Sequence, residues 1–188
     1  MTVSTLDPAT ALIVIDLQKG ILALPTVHST AEVAARAAEL ARAFRSRGLP
    51  VVLVNVTGGA PGRTEAAGSR GLERPEGWAD LVPELDRQPE DHVVTKQTWG
   101  AFHGTGLADL LAGLGVTQVV LAGVSTSIGV ETTARSAFEH GFNITLAVDA
   151  MTDTDPDAHT NSVSRIFPRL GETGSTQEIL SLLGNREK

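Results

Sequence analysis

Five short apolar runs are each continuous rather than alternating, and all but the second are followed by a stretch with helical spacing; this arrangement constrains the fold more than anything else in the chain. The runs are Ala11-Leu-Ile-Val-Ile15, Val51-Val-Leu-Val-Asn-Val56, His92-Val-Val-Thr95, Gln118-Val-Val-Leu-Ala122 and Asn143-Ile-Thr-Leu-Ala-Val148. A strand that is apolar at every position must be covered on both faces, which is the condition of a parallel sheet between two helical layers. Helical spacing fills the intervals: Val33, Ala37, Leu40, Ala41 and Phe44; Leu107, Leu110, Leu111 and Leu114; Val130, Ala134, Ala137 and Phe138; Ile179, Leu182 and Leu183. Start and stop signals agree, with Ser29/Glu32 and Ser175/Glu178 as capping boxes, Asp155-Pro156 as an N-cap followed by proline, and Gly48, Gly115, Gly141 and Gly184 as terminators. The expectation is a doubly wound α/β domain, Rossmann-like, in three layers α/β/α with about six strands. At 188 residues, a single domain over residues 1–188 is expected.

The connection from Thr57 to Glu90 breaks this rhythm. It carries Gly58-Gly-Ala-Pro-Gly62, Gly68, Gly71, Pro75 and Gly77 and is too long for an ordinary link, so it reads as a functional loop or lid. Its glycines lack the Gly-Lys-Ser/Thr of a phosphate-binding loop, though Arg63 could meet an anionic substrate.

Composition removes several classes of function. A net charge of −7 without a basic run speaks against nucleic-acid partners. No apolar run approaches the roughly 20 residues of a membrane span, and Met1 to Pro8 lacks a basic leader region. With no cysteine, disulfides, thiolate metal sites and thiol catalysis are all excluded, and a cytoplasmic location is expected. The histidines stand singly, at 28, 92, 103, 140 and 159, so no metal is expected. Asp149, Asp153, Asp155 and Asp157 read as caps and a solvated turn rather than a calcium loop, whose glycine and terminal glutamate are missing.

Open α/β sheets build sites where strands end. The first strand ends in Asp16-Leu17-Gln18, a carboxylate where a dinucleotide fold would place a glycine-rich turn, so no nicotinamide or flavin cofactor is expected. Asp16 is either a general acid or base or a cap. Lys96 follows the third strand and would face Asp16 if the two strands were neighbours, where an ammonium would fix the carboxylate's protonation state. Trp99 and Phe102, close by in a chain that is 4% aromatic, read as pocket walls with Trp78, core packing being the alternative for Phe102. The fourth strand runs into Gly123-Val-Ser-Thr-Ser-Ile-Gly129-Val-Glu-Thr-Thr-Ala-Arg135, a hydroxyl-rich loop that opens a helix.

Taken in order, Asp16-Leu-Gln18, Thr95-Lys96 to Phe102, and Gly123-Val-Ser-Thr126 to Gly129-Val130 with Thr133-Ala-Arg135 resemble the isochorismatase-like hydrolase superfamily, over about Thr10 to Leu183. The resemblance implies a cofactor-independent hydrolase of small molecules, homo-oligomeric as a dimer or tetramer. It implies that Asp16 and Lys96 are catalytic, that Gln18, Trp99, Phe102, Val124, Ser125 and Ile128 contact substrate, that the loop backbone around Ile128 and Gly129 donates hydrogen bonds, and that a cis peptide joins Val124 to Ser125. It also puts Gly129 where most of the family has its nucleophilic cysteine. Three explanations follow. The first is acid/base hydrolysis by Asp16 and Lys96 without a covalent step, as for a vinyl ether. The second is a hydroxyl nucleophile among Ser125, Thr126 and Ser127, with His28 or His103 as base. The third is a catalytically silent homologue kept for small-molecule binding or assembly. The metal-binding pattern of the nicotinamidase branch is missing after the second strand, where Asn55-Val-Thr-Gly-Gly59 stands.

Overall fold

The computed structural model describes residues 3–65 and 74–185; Gly68, Gly71 and the last three residues of the C-terminal tail lie outside them. Six parallel strands form one sheet: β1 (Thr10–Ile15), β2 (Val51–Val56), β3 (His92–Lys96), β4 (Gln118–Val124), β5 (Asn143–Thr152) and β6 (Glu172–Gly174), in the spatial order β3-β2-β1-β4-β5-β6. The chain direction across the sheet reverses between β1 and β4, which opens a crevice at their carboxyl ends.

Two apolar cores explain the unbroken hydrophobic strands. Leu12 and Val14 of β1 face one core with helices α2 (Thr30–Ser46) and α6 (Thr176–Gly184); Ala11, Ile13 and Ile15 face the other with α3 (Leu107–Gly113) and α4 (Glu131–Glu139). Of the two expected capping boxes, the one at Ser175 forms in full and the one at Ser29 only in its first half. Ser29 accepts from the Glu32 N–H, and Ser175 and Glu178 complete a reciprocal capping box. Asp155 caps α5 (Pro156–Asn161) through the N–H groups of Asp157 and Ala158. Phe138, which the spacing placed on the apolar face of α4, is exposed.

Three departures bear on the site. A short helix, α1 (Lys19–Leu22), follows β1 directly. The described end of the connection after β2 is pinned to the exit of β1: Gln18 and Leu81 form an antiparallel bridge, the N–H groups of Lys19 and Gly20 bond to Asp80 and Trp78 carbonyls (both 2.9 Å), and Lys19 pairs with Asp80 at 2.8 Å. Strand β5 runs past Val148 to Thr152, because its register steps from Leu146 to Met151 while β4 advances only from Leu121 to Gly123. Asp149 lies in this bulge and accepts the N–H and hydroxyl of Thr176, holding the first turn of α6. Among the described residues no helix is long and apolar enough to cross a membrane.

Candidate active site

Asp16 stands immediately beyond β1. Its N–H still joins the sheet, donating to the Val54 carbonyl at 2.9 Å, but its backbone is left-handed, with φ 52°. A non-glycine residue there is strained, and such strain collects at functional positions. The turn aims the carboxylate across the carboxyl edge of the sheet toward β3. Strands β1 and β3 are not the neighbours that Lys96 facing Asp16 would suggest; β2 lies between them. Two strand spacings are about 10 Å, a gap that the lysine stem, the aspartate side chain and the hydrogen bond between them cover together. Lys96 Nζ reaches Asp16 Oδ2 at 2.7 Å and donates also to the Thr98 carbonyl at 3.2 Å.

The pair is almost closed off from solvent, with Lys96 2% and Asp16 5% exposed. Burial disfavours the charged carboxylate, and the Lys96 ammonium offsets only part of this, so the Asp16 pKa is raised to about 6. Asp16 Oδ1 is buried without a hydrogen-bond partner among the described residues.

On the other side of the crevice, the Val124–Ser125 peptide is cis. Thr126–Val130 then forms one π-helical turn that feeds α4. The Ser125 carbonyl accepts from both Ile128 (3.2 Å) and Val130 (3.1 Å). The Ile128 N–H, expected as a donor to substrate, is therefore engaged in closing its own turn. A Cβ on Gly129 would stand 3.4 Å from Asp16 Oδ2, 2.9 Å from Ile15 Cγ2 and 3.3 Å from the Val124 carbonyl oxygen. Gly129 thus faces the ion pair at van der Waals distance. Gly123 is required where β4 meets β1: its φ is 123°, and a Cβ would fall 2.0 Å from the Ile15 carbonyl oxygen.

Several residues singled out in the sequence take other positions. Gln18 is fully buried, and its amide bonds only to backbone: Nε2 donates to the Val56 and Trp78 carbonyls (3.1 and 3.3 Å) and Oε1 accepts from the Val56 N–H (2.7 Å). It clamps the exit of β2 to the long connection, which leaves it no free group for a substrate. Phe102 belongs to the core on the α3–α4 side, its ring stacked 5.1 Å from that of His140. Trp99 is 59% exposed; the loop apart from it turns inward through Gly100 and Ala101. Trp78 lines a cleft of ≈ 270 Å³ with Thr57, Arg74, Pro75, Gly77, Ala79 and Asp80, whose walls include neither Asp16 nor Lys96.

Other residues that hold the site were not singled out. The buried Thr133 hydroxyl donates to the Gly129 carbonyl (2.7 Å) and accepts from the Ala101 N–H (3.1 Å), joining the loop after Lys96 to the turn of Gly129. Asp153 is not in a solvated turn. It is 1% exposed, and its carboxylate accepts the Ser127 N–H (2.7 Å), the Ser127 hydroxyl (2.8 Å) and the Thr154 N–H (2.8 Å); these charge-assisted bonds offset its desolvation. Thr126, fully buried, is 2.9 Å from His159 Nδ1, and the His28 ring lies edge-on to His159 at 4.8 Å. Burial, and then His28, hold the His159 pKa below its ordinary value against the opposing charge of Asp153. The histidine that meets the hydroxyl loop is thus His159, with His28 behind it. Among the described residues no group of three or more His, Asp or Glu is placed to hold a metal ion.

Comparison with known proteins agrees with this geometry. The family model described as the isochorismatase domain matches residues 10–178. The chain belongs to the isochorismatase family. It is 42% identical over 181 residues to the uncharacterized isochorismatase family protein YecD of Escherichia coli O157:H7, covering 93% of this chain and 96% of that protein. It is 40% identical over 177 residues to YwoC of Bacillus subtilis, another uncharacterized isochorismatase family protein, covering 91% and 92%. Among solved structures, an isochorismatase family protein from Burkholderia thailandensis superposes with a TM-score of 0.92 at 40% identity, over 96% of this chain and 98% of that one. The six-stranded parallel sheet is the architecture of this isochorismatase-family neighbour.

Proposed function

We propose that this isochorismatase-family hydrolase acts by acid/base catalysis at Asp16 and makes no covalent enzyme intermediate. One observation carries the reading: a buried carboxyl whose pKa is raised to about 6, 2.7 Å from an ammonium and facing a glycine. A carboxyl of that pKa is protonated often enough near neutrality to give up a proton, and Lys96 then stabilises the carboxylate left behind. With no side chain, Gly129 presents no nucleophile, and the reacting carbon meets water instead.

A vinyl ether fits these groups. Protonated Asp16 delivers its proton to the enol-ether carbon, the C=C electron pair forming the new C–H bond. The oxygen lone pair stabilises the resulting oxocarbenium ion. Water adds to the cationic carbon and loses a proton to the Asp16 carboxylate, and the hemiketal collapses to a ketone and an alcohol. Neither Lys96 nor Gly129 changes covalently. A hydroxyl nucleophile has less support, since Thr126 is fully enclosed and engaged by His159 as an anchor of the turn.

The test is turnover of vinyl ethers, esters and amides by the wild-type protein and Asp16→Asn. The acid mechanism predicts loss of vinyl-ether hydrolysis in Asp16→Asn and a kcat/KM that falls tenfold per pH unit above about pH 6, as the acid form is depleted. Equal activity in Asp16→Asn sinks the mechanism. Inactivity of both proteins across the panel favours the silent, ligand-binding homologue, which the near-complete burial of the pair also fits.

A further inference from the structure

We infer that Thr133 is a positioning residue for the reaction: its hydroxyl ties the loop that follows Lys96 to the turn that carries Gly129, and so sets how closely the ammonium is held on Asp16. The inference rests on the acid/base reading and adds to it a residue that acts through the loop and the turn rather than on substrate. The Thr133 side chain is fully buried. Its bond to the Gly129 carbonyl, four residues back, is ordinary for a threonine in a helix. Its bond from the Ala101 N–H is not local, since 32 residues separate the two. A hydroxyl has one proton to give. With that proton committed to Gly129, its lone pairs remain for Ala101, and the link runs in one direction, from the Ala101 N–H through Oγ1 to the Gly129 carbonyl.

Both ends of this link reach the ion pair. On the loop side, Lys96 Nζ donates to the Thr98 carbonyl at 3.2 Å as well as to Asp16 at 2.7 Å, so the ammonium moves with the segment from Thr98 to Ala101. That segment lies directly on the first turn of α4: a Cβ on Gly100 would fall 2.9 Å from Thr132 Cγ2. Ala101 is fully buried, its N–H given to Thr133 and its carbonyl accepting the Thr105 hydroxyl. On the turn side, Gly129 stands against the same Asp16 oxygen that Lys96 engages, 3.4 Å from a Cβ built on the glycine. Asp16 Oδ2 is therefore enclosed between two walls, and Thr133 fixes their separation by a hydrogen bond to each. Removing the hydroxyl leaves the buried Ala101 N–H without this acceptor, a cost that the loop relieves by lifting from α4. Lifting draws the Thr98 carbonyl, and the ammonium bonded to it, away from Asp16.

Thr133→Val keeps the shape and removes the hydroxyl; Thr133→Ser keeps the hydroxyl and removes the methyl. The readout is the Asp16 carboxyl itself, followed by its carbon-13 resonance in aspartate-labelled protein, with Asp16→Asn identifying the signal. Lys96 is the charged group that acts on this carboxyl, which titrates at about pH 6 in the wild type. In Thr133→Val the midpoint should rise by roughly one pH unit, because part of the ammonium's attraction is lost. Thr133→Ser should return it to the wild-type value, even where loss of the methyl lowers the urea midpoint. A Thr133→Val midpoint that stays at or falls below that of the wild type, with or without a loss of stability, overturns the inference; so does a Thr133→Ser protein that titrates like Thr133→Val. Should Thr133→Val not fold, Gly100→Ala decides by the same criterion, since its Cβ wedges the loop off Thr132 and leaves the Thr133 hydroxyl in place. The titration needs no turnover, so the two proposals fail separately. A raised midpoint in Thr133→Val, where the wild type hydrolyses nothing, removes the acid mechanism and keeps Thr133 as the residue that sets the ion pair. An unmoved midpoint, where hydrolysis depends on Asp16, removes only the role of Thr133.

Discussion

Replacing Lys96 by Met tests how the protein tolerates a carboxylate at Asp16. The Asp16 pKa is about 6 in the folded protein, against 3.8 for an unperturbed aspartate. Because the folded value is the higher, folding is favoured by the proton. The associated stability is fully present below pH 3.8, is lost as pH rises through that window, and has gone by about pH 6. The gap corresponds to about 3 kcal/mol. Without the ammonium at 2.7 Å, burial alone acts on Asp16, its pKa rises further, and the loss continues above pH 6. Wild type and Lys96→Met should therefore diverge by about 1.4 kcal/mol for each pH unit above 6, reaching about 3 kcal/mol by pH 8, until the variant's own pKa is passed. The constant cost or gain of removing a buried ammonium shifts the whole curve without tilting it. Urea unfolding of both proteins at pH 5, 6, 7 and 8 reads the tilt directly. The double variant Asp16→Asn/Lys96→Met should show none. A difference between wild type and Lys96→Met that stays flat from pH 6 to 8 would refute the claim that Lys96 holds the Asp16 charge.

Three further outcomes follow from the same contacts. Gly129→Ala should destabilise by about 1–2 kcal/mol in urea unfolding, since its Cβ meets Ile15 Cγ2 at 2.9 Å and this overpacking exceeds the helical preference of alanine. Asp153→Ala should cost about 2–4 kcal/mol, because it strands the Ser127 and Thr154 N–H groups; faster hydrogen exchange at Ser127 would be its local signature, and unchanged exchange would count against it. Gly20→Ala should displace the Trp78 ring and shift Trp78 emission to longer wavelength in a Trp99→Phe background, whereas an unshifted spectrum would show that the ring is not seated on Gly20.

The sheet was legible because continuous apolar runs leave few alternatives, and capping residues at Ser29, Asp155 and Ser175 marked where helices begin. Asp16 and Lys96 were legible because charged residues directly after buried strands have few places to go. What escaped depended on three-dimensional neighbours. The run Asp149 to Asp157 looks solvated in one dimension; only the β5 bulge and the π-helical turn bring Ser127 and Thr176 to Asp153 and Asp149 and so permit their burial. The amide of Gln18 looked free for a ligand until the Leu81 bridge placed Val56 and Trp78 around it. The ring of Phe102 was ambiguous in the same way, since sequence distance hides its stacking on His140.

The strand order also clarifies why a carboxylate replaces a glycine-rich turn after β1. In a dinucleotide fold the crevice between β1 and β4 admits a pyrophosphate because glycines let the backbone approach it. Here the glycines lie opposite, on β4 and the turn beyond it: Gly123 lets β4 close onto Ile15, and Gly129 leaves room for the Asp16 carboxylate. The exit of β1 instead uses a strained aspartate at φ 52°, which points a side chain rather than bare N–H groups into the crevice. That carboxylate needs a cationic partner, which an anionic phosphate ligand would not supply. In this chain Lys96 supplies it from two strands away. The crevice is thereby neutralised and largely desolvated before a substrate enters, and a raised Asp16 pKa follows from the topology without further machinery.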